Sequence, residues 1–270
     1  MYQVIEGGVA AASGFRVGHT AAGIKYRERA DMALLVSDSS CAAAGVFTRN
    51  VVKAAPVLWD RRIVREKGTA RAIVVNAGIA NACTGQRGLR VCGKTADCAA
   101  RALGLAPEEV LLASTGVIGM DLPLDRLCAG IGAMASDLQS GSVAGHRAAR
   151  AIMTTDTSPK EAAVTLTLDG KRVTIGGMAK GSGMIHPDMC TMLCFITSDC
   201  AIEQSLLQQA LATVVPDTFN MISVDGDTST NDTCLLLANG QADNRRIDRK
   251  NEDYEAFVKA LSAVCGSLAR

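Results

Sequence analysis

Short apolar runs alternate along the chain with stretches in which apolar residues recur at helical spacing, which predicts a mixed α and β fold. Met32 to Val36, Ile73 to Val75 and Val110 to Leu112 read as strands. Leu89 to Leu103, Leu124 to Leu138, Ala144 to Met153, Ser205 to Val214 and Tyr254 to Leu268 read as helices. Ala163 to Leu168 and Val173 to Ile175 flank Asp169-Gly170. That dipeptide suits the type I′ turn, whose twist matches two antiparallel strands, so a hairpin is predicted there. The run Met192 to Ile196 reads as a further buried strand. No internal repeat, low-complexity tract or long Pro- or Ser-rich linker interrupts the pattern.

Composition narrows the function classes. With 270 residues, 48% of them hydrophobic, the chain can bury a substantial core in one large domain or two modest ones. A net charge of +1 and only one Trp, three Tyr and five Phe leave neither an electrostatic footprint nor stacking platforms for nucleic acid. No charged-then-apolar leader and no apolar run of spanning length are found, so the expected location is the cytoplasm, with no membrane partner. The ten cysteines, including Cys41, Cys83, Cys128 and Cys234, lie mostly in apolar or Ala-rich surroundings and are expected to be reduced, buried thiols. No Cys-x-x-Cys occurs, and His19, His146 and His186 lack ligand spacing, so no metal site is expected.

The segment Lys180-Gly181-Ser182-Gly183-Met184-Ile185-His186-Pro187-Asp188-Met189-Cys190-Thr191-Met192-Leu193 puts a threonine where glycine-rich backbone meets an apolar strand. Two readings are open: a loop whose last residue opens a strand, or a self-cleaving site. A Thr at a new N-terminus carries its own base, an α-amine of pKa roughly 7.7–8.0, which takes the hydroxyl proton and returns it to a leaving amine. Thr115-Gly116 stands where a strand ends in a glycine turn. A hydroxyl beside an accessible amide there could receive an oxyanion, or the pair could be a plain turn. Gly88-Leu89-Arg90-Val91-Cys92-Gly93-Lys94-Thr95 matches the P-loop pattern. A phosphate loop must leave a strand and open a helix at its Lys-Thr, whereas here the helical pattern already runs from Leu89, so nucleotide binding is not expected. Asp225 to Asp232 resembles a cation loop but lacks the glycine at its sixth position and has Leu236 where a bidentate Glu belongs, so a hydrogen-bonded polar turn is expected instead.

The Lys180 to Leu193 segment closely resembles the self-cleavage segment of the ornithine acetyltransferase family, the bifunctional glutamate N-acetyltransferases of arginine biosynthesis. Further stretches resemble the family in family order: Gly7 to Phe15, Ala44 to Thr48, Asn76 to Gly85, Ser114 to Gly119, Ala151 to Thr157 and Val224 to Thr233. The resemblance implies an αββα sandwich and a cut at Cys190–Thr191, giving an α segment of residues 1–190 and a β segment beginning at 191. It implies Thr191 as nucleophile, Thr115 and Gly116 as oxyanion hole, and Thr154, Lys180 and Thr191 as substrate contacts. The implied reaction is ping-pong acetyl transfer from N-acetylornithine to glutamate through acetyl-Thr, without an external cofactor, with acetyl-CoA a possible co-substrate. The implied assembly is two α and two β pieces. The chain stops at Arg270, before the Asp-Gly-Glu-Gly-Ala-Thr-Lys stretch with which family β pieces continue, so alone it is expected to be a poor acetyltransferase. A non-catalytic fragment of the fold and a self-processed aminopeptidase are the competing readings.

Overall fold

A computed structural model describes residues 1–181, 192–221 and 228–270. Among these, nine strands form one continuous hydrogen-bonded sheet: β1 (Tyr2–Ile5), β2 (Phe15–Thr20), β3 (Met32–Phe47), β4 (Thr69–Ile79), β5 (Val110–Val117), β6 (Lys160–Leu168), β7 (Lys171–Lys180), β8 (Leu193–Ser198) and β9 (Thr233–Ala238). Six α-helices accompany them: α1 (Ala55–Glu66), α2 (Gly85–Leu103), α3 (Leu124–Ala135), α4 (Ser142–Ala151), α5 (Gln204–Val214) and α6 (Glu252–Ala269). The order across the sheet is β1-β6-β7-β8-β9-β3-β4-β5, with β2 on the first half of β3.

The long strand β3 turns this sheet into two layers. Its first half, from Met32 to Val36, pairs with β2 and β4; after a register shift between Val36 and Cys41, Cys41 and Ala42 still pair with β4 while Ala42 to Phe47 pair with β9. Side-chain parity records the change of layer. Ala33, Leu35, Cys41 and Ala43 all face one central core with Ile73, Val75, Leu111, Phe195 and Leu237. On the other face Met32, Leu34 and Val36 meet α2 and α3, through Ala96, Ala99, Leu127 and Ile131. Further along that face Ala44 meets α5 and α6, through Leu207, Leu211, Phe257 and Leu261. Strand residues alternate faces with a period of two, so a single strand can be buried on both sides while serving different helical layers. The result is helices, sheet, sheet and helices, the expected αββα sandwich, with three large apolar cores and a small fourth one.

The β6–β7 hairpin turns at Asp169 (φ 47°) and Gly170 (φ 72°), both left-handed as a type I′ turn requires. The parallel pairs β4–β5 and β8–β9 are bridged by α2 and α5 respectively. No helix among the described residues is long and apolar enough to cross a membrane.

The expectation of uniformly reduced, buried thiols is corrected. Cys98 of α2 and Cys128 of α3 form a disulfide, with Cα atoms 5.6 Å apart, and Cys83 is exposed. The half-buried cysteines meet because α2 and α3 pack together over one core, a juxtaposition invisible in their 30-residue separation. Closing a loop of that length stabilises a fold by about 3–4 kcal/mol. Urea unfolding without reductant is therefore expected to show Cys128→Ser less stable by about 2–4 kcal/mol, a difference that vanishes in reductant.

Candidate active site

One edge of the sandwich gathers the ends of β7, β3 and β5 with the starts of β8 and β9. Lys180 closes β7 opposite Leu193, Leu193 lies beside Thr233, and Thr233 faces Phe47 at the end of β3. From the opposing layer comes β5, carrying Thr115 and Gly116. The layers are joined here by Asn231, whose Nδ2 donates to the carbonyls of Ser114 (2.8 Å) and Ala80 (2.6 Å), while within the β4–β5 layer Ser114 Oγ donates to Asn76 Oδ1 (2.7 Å).

The central contact is between Lys180 Nζ and Thr115 Oγ1, 3.2 Å apart. Lys180 is 3% exposed and Thr115 6%. Burial pushes the Lys180 ammonium below the ordinary lysine value and Lys160 adds to this, while Asp156 and Asp232 pull the other way. Because an ammonium can only donate, the threonine oxygen is the acceptor and its own proton is left to point elsewhere.

Asp156 organises the floor beneath Lys180. Its Oδ1 accepts from the Gly181 amide (2.6 Å) and Lys160 Nζ (2.9 Å), and its Oδ2 from the Thr154 amide (3.3 Å). Burial alone would raise this carboxyl, but the Gly181 amide and the two lysines outweigh it and hold it below the usual aspartate value. Thr154, half-buried just beyond α4, is thereby tied to the residue following Lys180.

Asp232 occupies the other side, 1% exposed. Its Oδ1 accepts from the Met192 amide at 3.1 Å, while its Oδ2 is buried without a hydrogen-bond partner among the described residues. Burial raises its pKa to about 8 despite the opposing Met192 amide and Lys180 charge. A buried carboxyl raised toward neutrality and bonded to the amide that opens this strand is the kind of group active sites use.

Gly116 has φ +131°, and a Cβ built on it would overlap the backbone of Gly78, so only glycine fits against β4 there. The structure thus unites Lys180, Thr115 and Gly116 directly and brings in Thr154 through Asp156. Cys190 and Thr191 lie outside the described residues. Asp156 and Lys160 are parts of the cluster that the sequence reading did not single out, and Asn231 and Asp232 were read only as part of a polar turn and not as members of the site. A charged residue placed immediately beside an apolar strand, as Asp232 is before Thr-Cys-Leu-Leu-Leu, is the signal that could have found one of them. The polar-turn expectation for Asp225 to Asp232 holds in its described part, where Thr230 Oγ1 donates to Asn231 Oδ1 (2.7 Å) and the Asn231 amide to Ser229 Oγ (3.0 Å). The P-loop match is a helix throughout: Gly88 to Thr95 lie within α2, and Thr95 Oγ1 donates to the Val91 carbonyl (2.8 Å).

The layering and this convergence of strand ends define a protein of the αββα class. A Burkholderia sp. β-aminopeptidase shares the fold at TM-score 0.59 and 14% identity, over 99% of this chain and 86% of that one. The chain belongs to the ArgJ family, whose model matches residues 16–270. It is 52% identical over 98% of its length to the arginine biosynthesis bifunctional protein ArgJ of Symbiobacterium thermophilum, of which it spans 66%, just under two thirds. A solved ornithine acetyltransferase chain from Mycobacterium tuberculosis, in complex with ornithine, matches at TM-score 0.64 and 39% identity, covering 72% of this chain and all of that one.

Proposed function

We propose that the protein moves an acetyl group from N-acetylornithine to glutamate through an acetyl ester on Thr191, after cutting itself at Cys190–Thr191. In the cut, Thr191 Oγ attacks the Cys190 carbonyl, the peptide C–N bond breaks as the ester forms and the nitrogen takes the hydroxyl proton to become the free α-amine, and water then hydrolyses the ester, releasing the Cys190 carboxylate and restoring the hydroxyl. In transfer, the hydroxyl attacks the acetyl amide, its proton passes by way of the α-amine to the leaving ornithine nitrogen, and the glutamate amine then takes the acetyl group from the ester. Thr115 and Gly116 receive the oxyanion; Thr154 and Lys180 contact substrate. No external cofactor enters these steps, and acetyl-CoA is a second acetyl donor for glutamate. The working assembly has two copies of each piece.

The observation that carries this reading is the 3.2 Å contact of Lys180 with Thr115, which gathers a buried cation and a hydroxyl at the mouth of the strand that Thr191 precedes. Family membership and the ornithine named with the Mycobacterium tuberculosis relative support the substrate. Denaturing mass spectrometry of the protein should find a piece beginning Thr-Met-Leu, and Thr191→Ala should remain a single chain with no acetyl transfer. An intact wild-type chain that transfers acetyl would refute the mechanism.

A further inference from the structure

We infer that Asp232 is a further positioning residue of this site, holding the start of β8 with one carboxyl oxygen and offering the other to an amino group that takes part in acetyl transfer. The inference deepens the function proposed above and rests on it.

The carboxyl is held from several sides. The Asp232 carbonyl accepts from the Thr48 amide (3.0 Å) and its Oδ1 from the Met192 amide (3.1 Å), while the Met192 carbonyl accepts from the Thr233 amide (3.1 Å). The side chain thus adds one rung to the parallel β8–β9 ladder, which begins with Leu193 opposite Thr233. Asn231, the residue before it, is pinned across the layers to Ser114 and Ala80. Within so fixed a frame Oδ2 cannot swing to a new partner, yet it is buried and has none among the described residues.

A clamp on Met192 would not need an acid. An asparagine oxygen accepts from an amide equally well and carries no charge, whereas a buried carboxylate oxygen without a donor is costly. An orphaned buried polar atom calls for a reason of this kind, a group that the folded chain does not itself supply. Charge identifies the group. Lys180 of β7 is the charge acting on Asp232 among the described residues; Met192 of β8, Thr48 beyond β3 and Ser229 face it without charge. Lys180 already donates to Thr115 Oγ1. A substrate carboxylate would be repelled by Asp232, so the complement of Oδ2 is a nitrogen that can donate a hydrogen bond and carry positive charge. Acetyl transfer supplies two such nitrogens: the α-amine that the proposed cut frees, and the amino group of the amino-acid substrate. With neither present the carboxyl keeps its proton, burial having lifted it to about 8. With one present, acid and amine titrate as a pair.

Asp232→Asn tests this in two ways. The first is urea unfolding between pH 5 and 7 in the Thr191→Ala background, where neither cutting nor transfer enters. The unfolded chain releases the Asp232 proton near pH 4 and the folded chain retains it, so the chain with Asp232 should lose stability as pH rises relative to the asparagine variant, by up to about tenfold in the folding constant per pH unit. Asp60 and Asp199, also raised by burial, are common to both chains and cancel. The second is the pH dependence of the two half-reactions, acetylation by N-acetylornithine and acetyl acceptance by glutamate, in a form competent for transfer. Removing the anion lets the amine lose its proton more readily, so the rising limb of the rate should move to lower pH by about one unit or more. A shift already present in acetylation assigns Oδ2 to the α-amine of the chain, and one confined to acceptance by glutamate assigns it to the substrate. Identical pH dependence of unfolding in the two chains, or a slower rate whose limb does not move in either half-reaction, would reduce Asp232 to a clamp and overturn the inference. Either result would leave the proposed function standing, because that is decided by the piece beginning Thr-Met-Leu and by the loss of transfer in Thr191→Ala.

Discussion

Thr115→Ala, introduced into a form competent for acetyl transfer, is expected to slow transfer by roughly 10²–10³. The hydroxyl accepts from Lys180 and so keeps its own proton for an oxygen in the site. That oxygen bears full charge only as the acetyl carbon becomes tetrahedral, so the loss should fall on turnover more than on substrate binding. Thr115→Ser, which retains the hydroxyl, should recover most of the rate. Steady-state kinetics on the two variants check this, and an unchanged rate for the alanine variant with the fold intact would remove Thr115 from the machinery.

Gly116→Ala is expected to act on the fold itself, destabilising it by about 3 kcal/mol. The added methyl would meet the Gly78 backbone across the β4–β5 ladder, so the strands must part where both glycines have positive φ, 131° and 112°. Gly119→Ala is the matched comparison. Its φ is also positive, at 81°, but the space beside it is open, so only the local conformational cost of about 1 kcal/mol should remain. Urea unfolding of the two variants separates collision from conformation; equal losses would mean that the β4 contact does not matter.

Much of the architecture could be read from residue pattern, because buried strands and amphipathic helices write their periods directly. The hairpin at Asp169-Gly170, the helices near Leu89 and Tyr254 and the strand after Thr191 all lie where expected. What escaped has particular causes. The strand beginning at Met32 runs on to Phe47, but Ser37-Asp38-Ser39-Ser40 breaks its apolar run at the register shift where it changes layers. Helix α1 was unseen because Pro56 stands in its first turn and Asp60 sits on its buried face, bonded to the Leu112 amide (2.8 Å). Strand β9 is six residues of short apolar sequence, too brief for periodicity to classify. In the site, Thr115, Gly116, Thr154 and Lys180 were legible through family resemblance, whereas Asp156 and Asp232 gain meaning only from neighbours far along the chain. The Cys98–Cys128 pairing likewise depends on how two helices pack, which no spacing encodes.

The position of β8 and β9 in the sheet bears on what a cut at Cys190–Thr191 would do. Both strands belong to the 191–270 segment, yet they lie between β7 and β3 of the other segment, and α5 and α6 complete a core to which both contribute. Severing the bond would therefore divide the polymer without dividing the folded body. The uncut precursor folds as one molecule, at a rate indifferent to concentration; once cut, the pieces that come apart on unfolding must find each other again by diffusion. A cut in this architecture would convert a reversible unimolecular equilibrium into a bimolecular one, so that persistence of the joined pieces would depend on the rate of unfolding and not on easy return.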